Sequence, residues 1–167
     1  MSSRALTELL RGKGSHVDPI ACVEDLSAEL AARKVSGFPH SIAQLIFHMN
    51  YWMDYELHRI RGQRSEYPEH NSQSFPPAPW AVDSENWDRL RKQFVNLLAD
   101  FTALSNSSAQ QMQRQIESAH EGDKKLAGTQ EAVLWQMIAH NSYHAGQIAM
   151  IRQALGAWPP KAGGDTW

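Results

Sequence analysis

Apolar residues recur along this chain every three or four positions, the spacing that gathers side chains on one face of an α-helix. Ile42, Leu45, Ile46, Met49, Met53, Leu57 and Ile60 form one such stripe. Ser41 precedes it with Gln44 three residues on, a capping box, and Gly62 is placed to close it. Trp87, Leu90, Phe94, Leu97, Leu98 and Phe101 form a second stripe behind a cap at Asp83 or Ser84. Val133, Met137, Ile148, Ile151 and Leu155 form a third, which starts after Thr129 and stops at Gly156. Upstream, Asp18 and Pro19 open a stretch carrying Ile20, Val23, Leu26, Leu30 and Ala31, expected as one helix ending near Ser36 and Gly37. Residues 3–11 predict a short lead-in helix, closed by the break from Gly12 to Gly14. Residues 108–117 predict another short helix. No run alternates with period two over a useful length, so strands are not expected.

Between the first two stripes the composition changes. Residues 62–82 hold Pro68, Pro76, Pro77 and Pro79 beside Asn71, Ser72 and Ser74. Proline at this density excludes a helix. The segment is also too long for a tight helical connection, for which ~2–8 residues suffice. About twenty extended residues reach ~60 Å, more than a bundle helix is long. The segment therefore reads as a crossover that lets its flanking helices run parallel, and it can cover one mouth of a bundle. The expected class is all-α: one helical-bundle domain over 1–167, with a crossover at about 62–82 and a short tail at 156–167.

Composition narrows the function. The 167 residues are 42% hydrophobic and 20% charged, with a formal net charge of −2. That balance is globular, and no broad basic face is available, so a nucleic-acid partner is not expected. The small basic groups Arg59/Arg61/Arg64, Arg89/Arg91/Lys92 and Lys124/Lys125 read as solvated helix faces. One cysteine, Cys22, excludes an internal disulfide and a paired-cysteine zinc site, and fits a reducing compartment. Residues 1–10 lack the apolar core of a signal peptide, and no apolar run approaches the ~20 residues that cross a bilayer. The expectation is a cytoplasmic protein without a membrane partner.

The third stripe carries the chemistry. His140 and His144 fall in the middle of its apolar face, one helical turn apart, so their rings project side by side. An imidazole left unsatisfied in an apolar setting costs about 1–3 kcal/mol. Two readings of the spacing stay open: hydrogen-bonded core histidines, or two ligands of one divalent ion, for which neutral imidazole suits zinc, nickel, iron and copper. A firm site needs a third ligand, and His48, on the flank of the first stripe beside Leu45 and Trp52, is the best placed. His16, His40, His58, His70 and His120 are expected on the surface. Other metal schemes do not fit: HExxH is absent, and Glu117–His120 is a lone Glu-x-x-His where a di-iron bundle needs two. There is no phosphate-binding glycine loop and no nucleophile elbow.

The segment Ile46-Phe47-His48-Met49-Asn50-Tyr51-Trp52 and the later His140-Asn141-Ser142-Tyr143-His144-Ala145-Gly146-Gln147-Ile148 together resemble the DinB-like superfamily. The Pro39-His40-Ser41 lead-in, the early segment from Leu10 to Val17 and the final run from Arg152 to Pro160 are similar to one branch of it. The resemblance spans nearly the whole chain. It implies a four-helix bundle of up-down-down-up type with a long crossover between helices two and three. It implies His48, His140 and His144 as the ligands of one divalent metal ion. Related proteins are described as metal-dependent enzymes, some using low-molecular-weight thiols such as bacillithiol or mycothiol, and homodimers are common.

Three neutral histidines leave an open coordination position, as catalytic sites do. The expected activity is hydrolysis or thiol S-transfer, with the ion activating a water or a small thiol. Tyr51, Tyr55, Tyr143 and Gln147 lie within a turn of a ligand and are candidates for polar contacts. No carboxylate stands out as a general base. The competing reading is a non-catalytic protein that binds metal or a small ligand. The sequence leaves zinc, nickel or iron open, and it leaves the small-molecule substrate open. Apolar residues near the termini, Trp158 and Trp167 among them, are candidates for a homodimer surface.

Overall fold

The computed structural model describes residues 3–63, 67–77, 80, 82–116 and 128–163. Three long helices dominate: α4 (Ile42–Ile60), α5 (Ser84–Ser105) and α7 (Gln130–Ala154). Four short ones accompany them: α1 (Ser3–Leu10), α2 (Ala21–Glu24), α3 (Ala28–Ala32) and α6 (Ala109–Met112). Each long helix begins where its sequence supplies a cap. Ser41 accepts from the Gln44 amide while the Gln44 side chain accepts from the Ser41 amide. Asp83 accepts from the Asn86 amide at 2.7 Å, and Thr129 from the Ala132 amide at 3.1 Å. These bonds satisfy amides that the first turn leaves orphaned. Gly62 closes α4 at a φ of 75°, a left-handed conformation that costs glycine little.

The stripes meet in one core. Ile42, Ile46, Met49, Met53 and Leu57 of α4 are buried with Trp87, Phe94, Leu98 and Phe101 of α5 and with Val133, Leu134, Met137, Ile148 and Ile151 of α7. Helix α1 adds Leu6 and Leu10 and packs on α5 and α7. Burying such side chains stabilises a fold by roughly 1.5–3 kcal/mol each before chain entropy is subtracted. Among the described residues, no helix is long and apolar enough to cross a membrane.

Three expectations change. The stretch 19–36 is two helices, α2 and α3, not one. The carbonyls that would carry a continuous helix across residues 22–26 bond to side chains instead: Cys22 receives Arg152 Nη1 at 2.8 Å, Glu24 receives Arg91 Nη1 at 2.6 Å, and Leu26 receives Trp87 Nε1 at 2.7 Å. Ser27 then caps a fresh start by accepting from the Leu30 amide. The helix expected over 108–117 is only α6, capped by Ser108. Two residues beyond its C-cap Gln113, Gln115–Ile116 (β1) pairs antiparallel with Gly128–Thr129 (β2), Gln115 opposite Thr129. So strands exist, though each is two residues long and too short for alternation to show. The connection between α4 and α5 also holds one turn of 3₁₀ helix, Asn71–Ser74, which the prolines on either side leave room for. Trp158 packs, partly buried, against the core, while Trp167 lies outside the described residues.

Candidate metal centre

His48 projects from the middle of α4, and His140 and His144 from the middle of α7. Packing of these two helices brings the three rings together. Ring centroids stand 5.1 Å apart for His48 and His140, 4.9 Å for His48 and His144, and 4.5 Å for His140 and His144. One ring nitrogen from each lies within 4.8 Å of the other two. His48 and His144 are buried and His140 is half-buried. Of the four described histidines expected on the surface, only His70 is exposed. His16, His40 and His58 are half-buried, and His120 lies outside the described residues, as does Glu117.

Hydrogen bonds define which nitrogen of each ring carries the proton. Ser74 donates its hydroxyl proton to the Asn71 carbonyl at 2.6 Å. It can therefore only accept from His48, and His48 Nδ1–H donates to Ser74 Oγ at 2.8 Å. His144 Nδ1–H donates to Gln147 Oε1 at 2.7 Å, and the Gln147 amide nitrogen is committed to Tyr143 Oη at 3.2 Å. His140 Nδ1 faces Asn141 Oδ1 at 3.3 Å, while the Asn141 amide nitrogen donates to Met53 Sδ. With protons on all three Nδ1 atoms, all three Nε2 lone pairs are left for the shared centre.

Two of those lone pairs oppose each other: His48 Nε2 and His140 Nε2 are 3.2 Å apart. Between neutral rings of these tautomers that contact has no proton to share, so it is unfavourable as it stands. Two nitrogens each about 2.0–2.1 Å from a tetrahedral ion stand about 3.3–3.4 Å apart, which matches. The donor set thus fits a borderline divalent cation. Electrostatics agree. Burial first, then repulsion from the His144, His140 and His40 charges, pushes the His48 pKa down to about 3. Burial likewise pushes His144 down to about 4, against the bond to Gln147, and holds His140 below its ordinary value. The rings are neutral at pH 7 and no proton has to leave before a cation enters.

A cavity of about 540 Å³ opens onto the histidines, within the range of small-molecule sites. The connection between α4 and α5 supplies one wall: Phe75 is stacked between His40, at 3.9 Å, and His48, at 4.2 Å. Tyr143 and Gln147 line the cavity as expected. Tyr51 and Tyr55 do not. They turn toward α5 and line a separate cleft with Phe47, Asn50 and Leu90. Sequence reasoning missed Ser74, Phe75, Glu56 and Arg59. For the last two a signal was present, because positions 52, 56 and 59 follow His48 at one-turn spacing on the same face.

Three imidazoles converging at an open pocket on a helical scaffold make a ligand set compatible with one metal ion. More narrowly, residues 20–148 match the DinB superfamily model, and the chain belongs to that superfamily. No curated protein matches it.

Proposed function

We propose that His48, His140 and His144 hold one divalent ion, zinc, nickel or iron, and that the cavity presents a small molecule to it, making the protein a metal-dependent hydrolase or thiol S-transferase. The observation that carries this reading is the convergence of one ring nitrogen from each of three histidines, with each Nδ1 facing an oxygen of Ser74, Asn141 or Gln147. An ion held there supplies Lewis acidity at an open position, lowering the pKa of a water or a thiol. The chain's own part is to orient the rings through Ser74, Asn141 and Gln147, to keep them neutral by burial, and to wall the centre with Phe75. The up-down-down-up bundle, with 62–82 as its crossover, is the topology proposed for the same scaffold.

One observation favours a non-catalytic binder: among the described residues no carboxylate touches the three rings. Glu56, the carboxylate that lines the cavity, sits two turns down α4. The test has two stages. Metal analysis of tag-free protein should give about one equivalent, lost in His144→Ala. Azide, imidazole or a small thiol should then shift the visible bands of the cobalt-loaded protein. Absence of metal after reloading removes the whole reading; bound metal with unmoved bands removes the enzyme and leaves the binder.

A further inference from the structure

The far end of the cavity holds a buried ion pair. Glu56 is only 4% exposed, and Arg59 lies beside it on α4. Both Arg59 contacts fall on one carboxylate oxygen, Oε2: Nε at 2.9 Å and Nη2 at 2.9 Å. Among the described residues no group donates to the other oxygen, Oε1, although both residues line the cavity. Oε1 keeps some contact with solvent at the cavity wall, so a ligand donor there would take the place of water at a charged acceptor. Burial also pushes the Glu56 carboxyl above its ordinary value in spite of the Arg59 charge. Eight residues of helix separate Glu56 from His48, about 12 Å of rise. Trp52 lies between them, its ring 6.4 Å from that of His48 in an edge-on arrangement. The wall from the metal centre to the ion pair is therefore aromatic, with a polar group at each end.

We propose that Glu56 is the specificity-determining residue of this pocket: its Oε1 accepts a hydrogen bond from a hydroxyl or N–H group at the far end of an elongated small ligand whose reacting group lies at the histidines. A second cation is disfavoured there because Arg59 already faces the carboxylate, so the matching group is a neutral donor. The inference rests on the metal-site reading above, and the test separates the two. The probes are 6-mercaptohexan-1-ol and its O-methyl ether, which differ by one donor hydrogen and share the thiol that binds metal. Each is titrated against the cobalt-loaded full chain, with the thiolate-to-cobalt charge-transfer band as readout.

The alcohol should bind wild type about 10-fold more tightly than the ether, the worth of one hydrogen bond to a charged acceptor. In Glu56→Gln the Arg59 N–H groups retain the amide oxygen, so the amide N–H faces the cavity and the preference should fall to near parity. Glu56→Met, which keeps the length but offers no comparable acceptor, should do the same and covers the case in which the glutamine variant fails to fold. Equal binding of the two probes to wild type overturns the proposal. So does a preference that persists in either variant, since shape alone would then explain it. In both outcomes the metal site stands. If neither probe perturbs the bands of the cobalt-loaded chain, the enzyme reading fails and this inference falls with it; if the chain takes up no cobalt at all, the metal-site reading itself fails.

Discussion

Replacing Ser74 with alanine tests how the His48 ring is held. Ser74 is fully buried and its hydroxyl sits between two partners, accepting from His48 Nδ1 and donating to the Asn71 carbonyl. Without the hydroxyl, Nδ1–H loses its acceptor, which costs about 1–3 kcal/mol in a buried setting. The ring is also freed to place its proton on Nε2, where it would block the metal centre. Partners of this kind are typically worth about 10–100-fold in metal affinity. Zinc affinity should therefore fall at least ~10-fold in Ser74→Ala, read by competition with a chromophoric chelator at neutral pH. Ser72→Ala, exposed in the same turn, is the control and should bind like wild type. Helicity should be retained, since Ser74 lies outside every α-helix. Zinc affinity within twofold of wild type would refute the reasoning, because the tautomer would then be set by something other than Ser74.

Four further outcomes follow from the same structure. Breaking the buried Arg152–Asp25 pair (2.7 Å, side chains 2% and 15% exposed) with Arg152→Met should cost about 3–5 kcal/mol in urea unfolding, because Asp25 is left charged and uncompensated. Burial raises the Asp25 carboxyl, but the Arg152 hydrogen bonds, the Lys161 amide and the Arg152 charge outweigh it, so its folded pKa lies below the ordinary 3.8. Its contribution is thus present above pH ~4 and lost as pH falls through the folded value, so acid titration should narrow the stability gap between wild type and Asp25→Asn. Cys22 is fully buried and its thiol is pushed up to about 12, chiefly by burial, so it should resist Ellman's reagent at pH 8 until the chain is unfolded. Phe94→Ala, at a fully buried position where α5 meets the core, should lose about 3–5 kcal/mol and leave the histidine geometry intact.

The long helices were legible because cap and stripe agree at each of them. Ser41 with Gln44, Asp83 and Thr129 are caps in the structure as their sequence positions suggest. Where reading failed, tertiary contacts overrode local spacing. Residues 19–36 carry helical periodicity throughout, yet Arg152, Arg91 and Trp87, all distant in sequence, take the carbonyls of residues 22, 24 and 26. Nothing local announces that competition. The paired residues 115–116 and 128–129 are similarly silent, since two-residue strands have no period to detect.

The site divides along the same line. His140 and His144 were visible because polar rings interrupt an apolar stripe, and a lone periodic segment is enough to see that. His48 needed a partner helix to become convincing, because it lies on the flank of its own stripe. Ser74 and Phe75 belong to a proline-rich connection, whose path no periodicity encodes, although they fix one ring's tautomer and stack on its face. Glu56 and Arg59 share the face of His48 at one-turn spacing, but that signal was outweighed: an i,i+3 pair of opposite charges on a helix is ordinarily a solvated surface pair. Their burial comes from the walls around them, and burial is what turns a weak surface contact into a polar anchor at the end of an aromatic pocket. Residues that interrupt a pattern can be found in the sequence, whereas residues that conform to a harmless pattern acquire their role only from what packs against them.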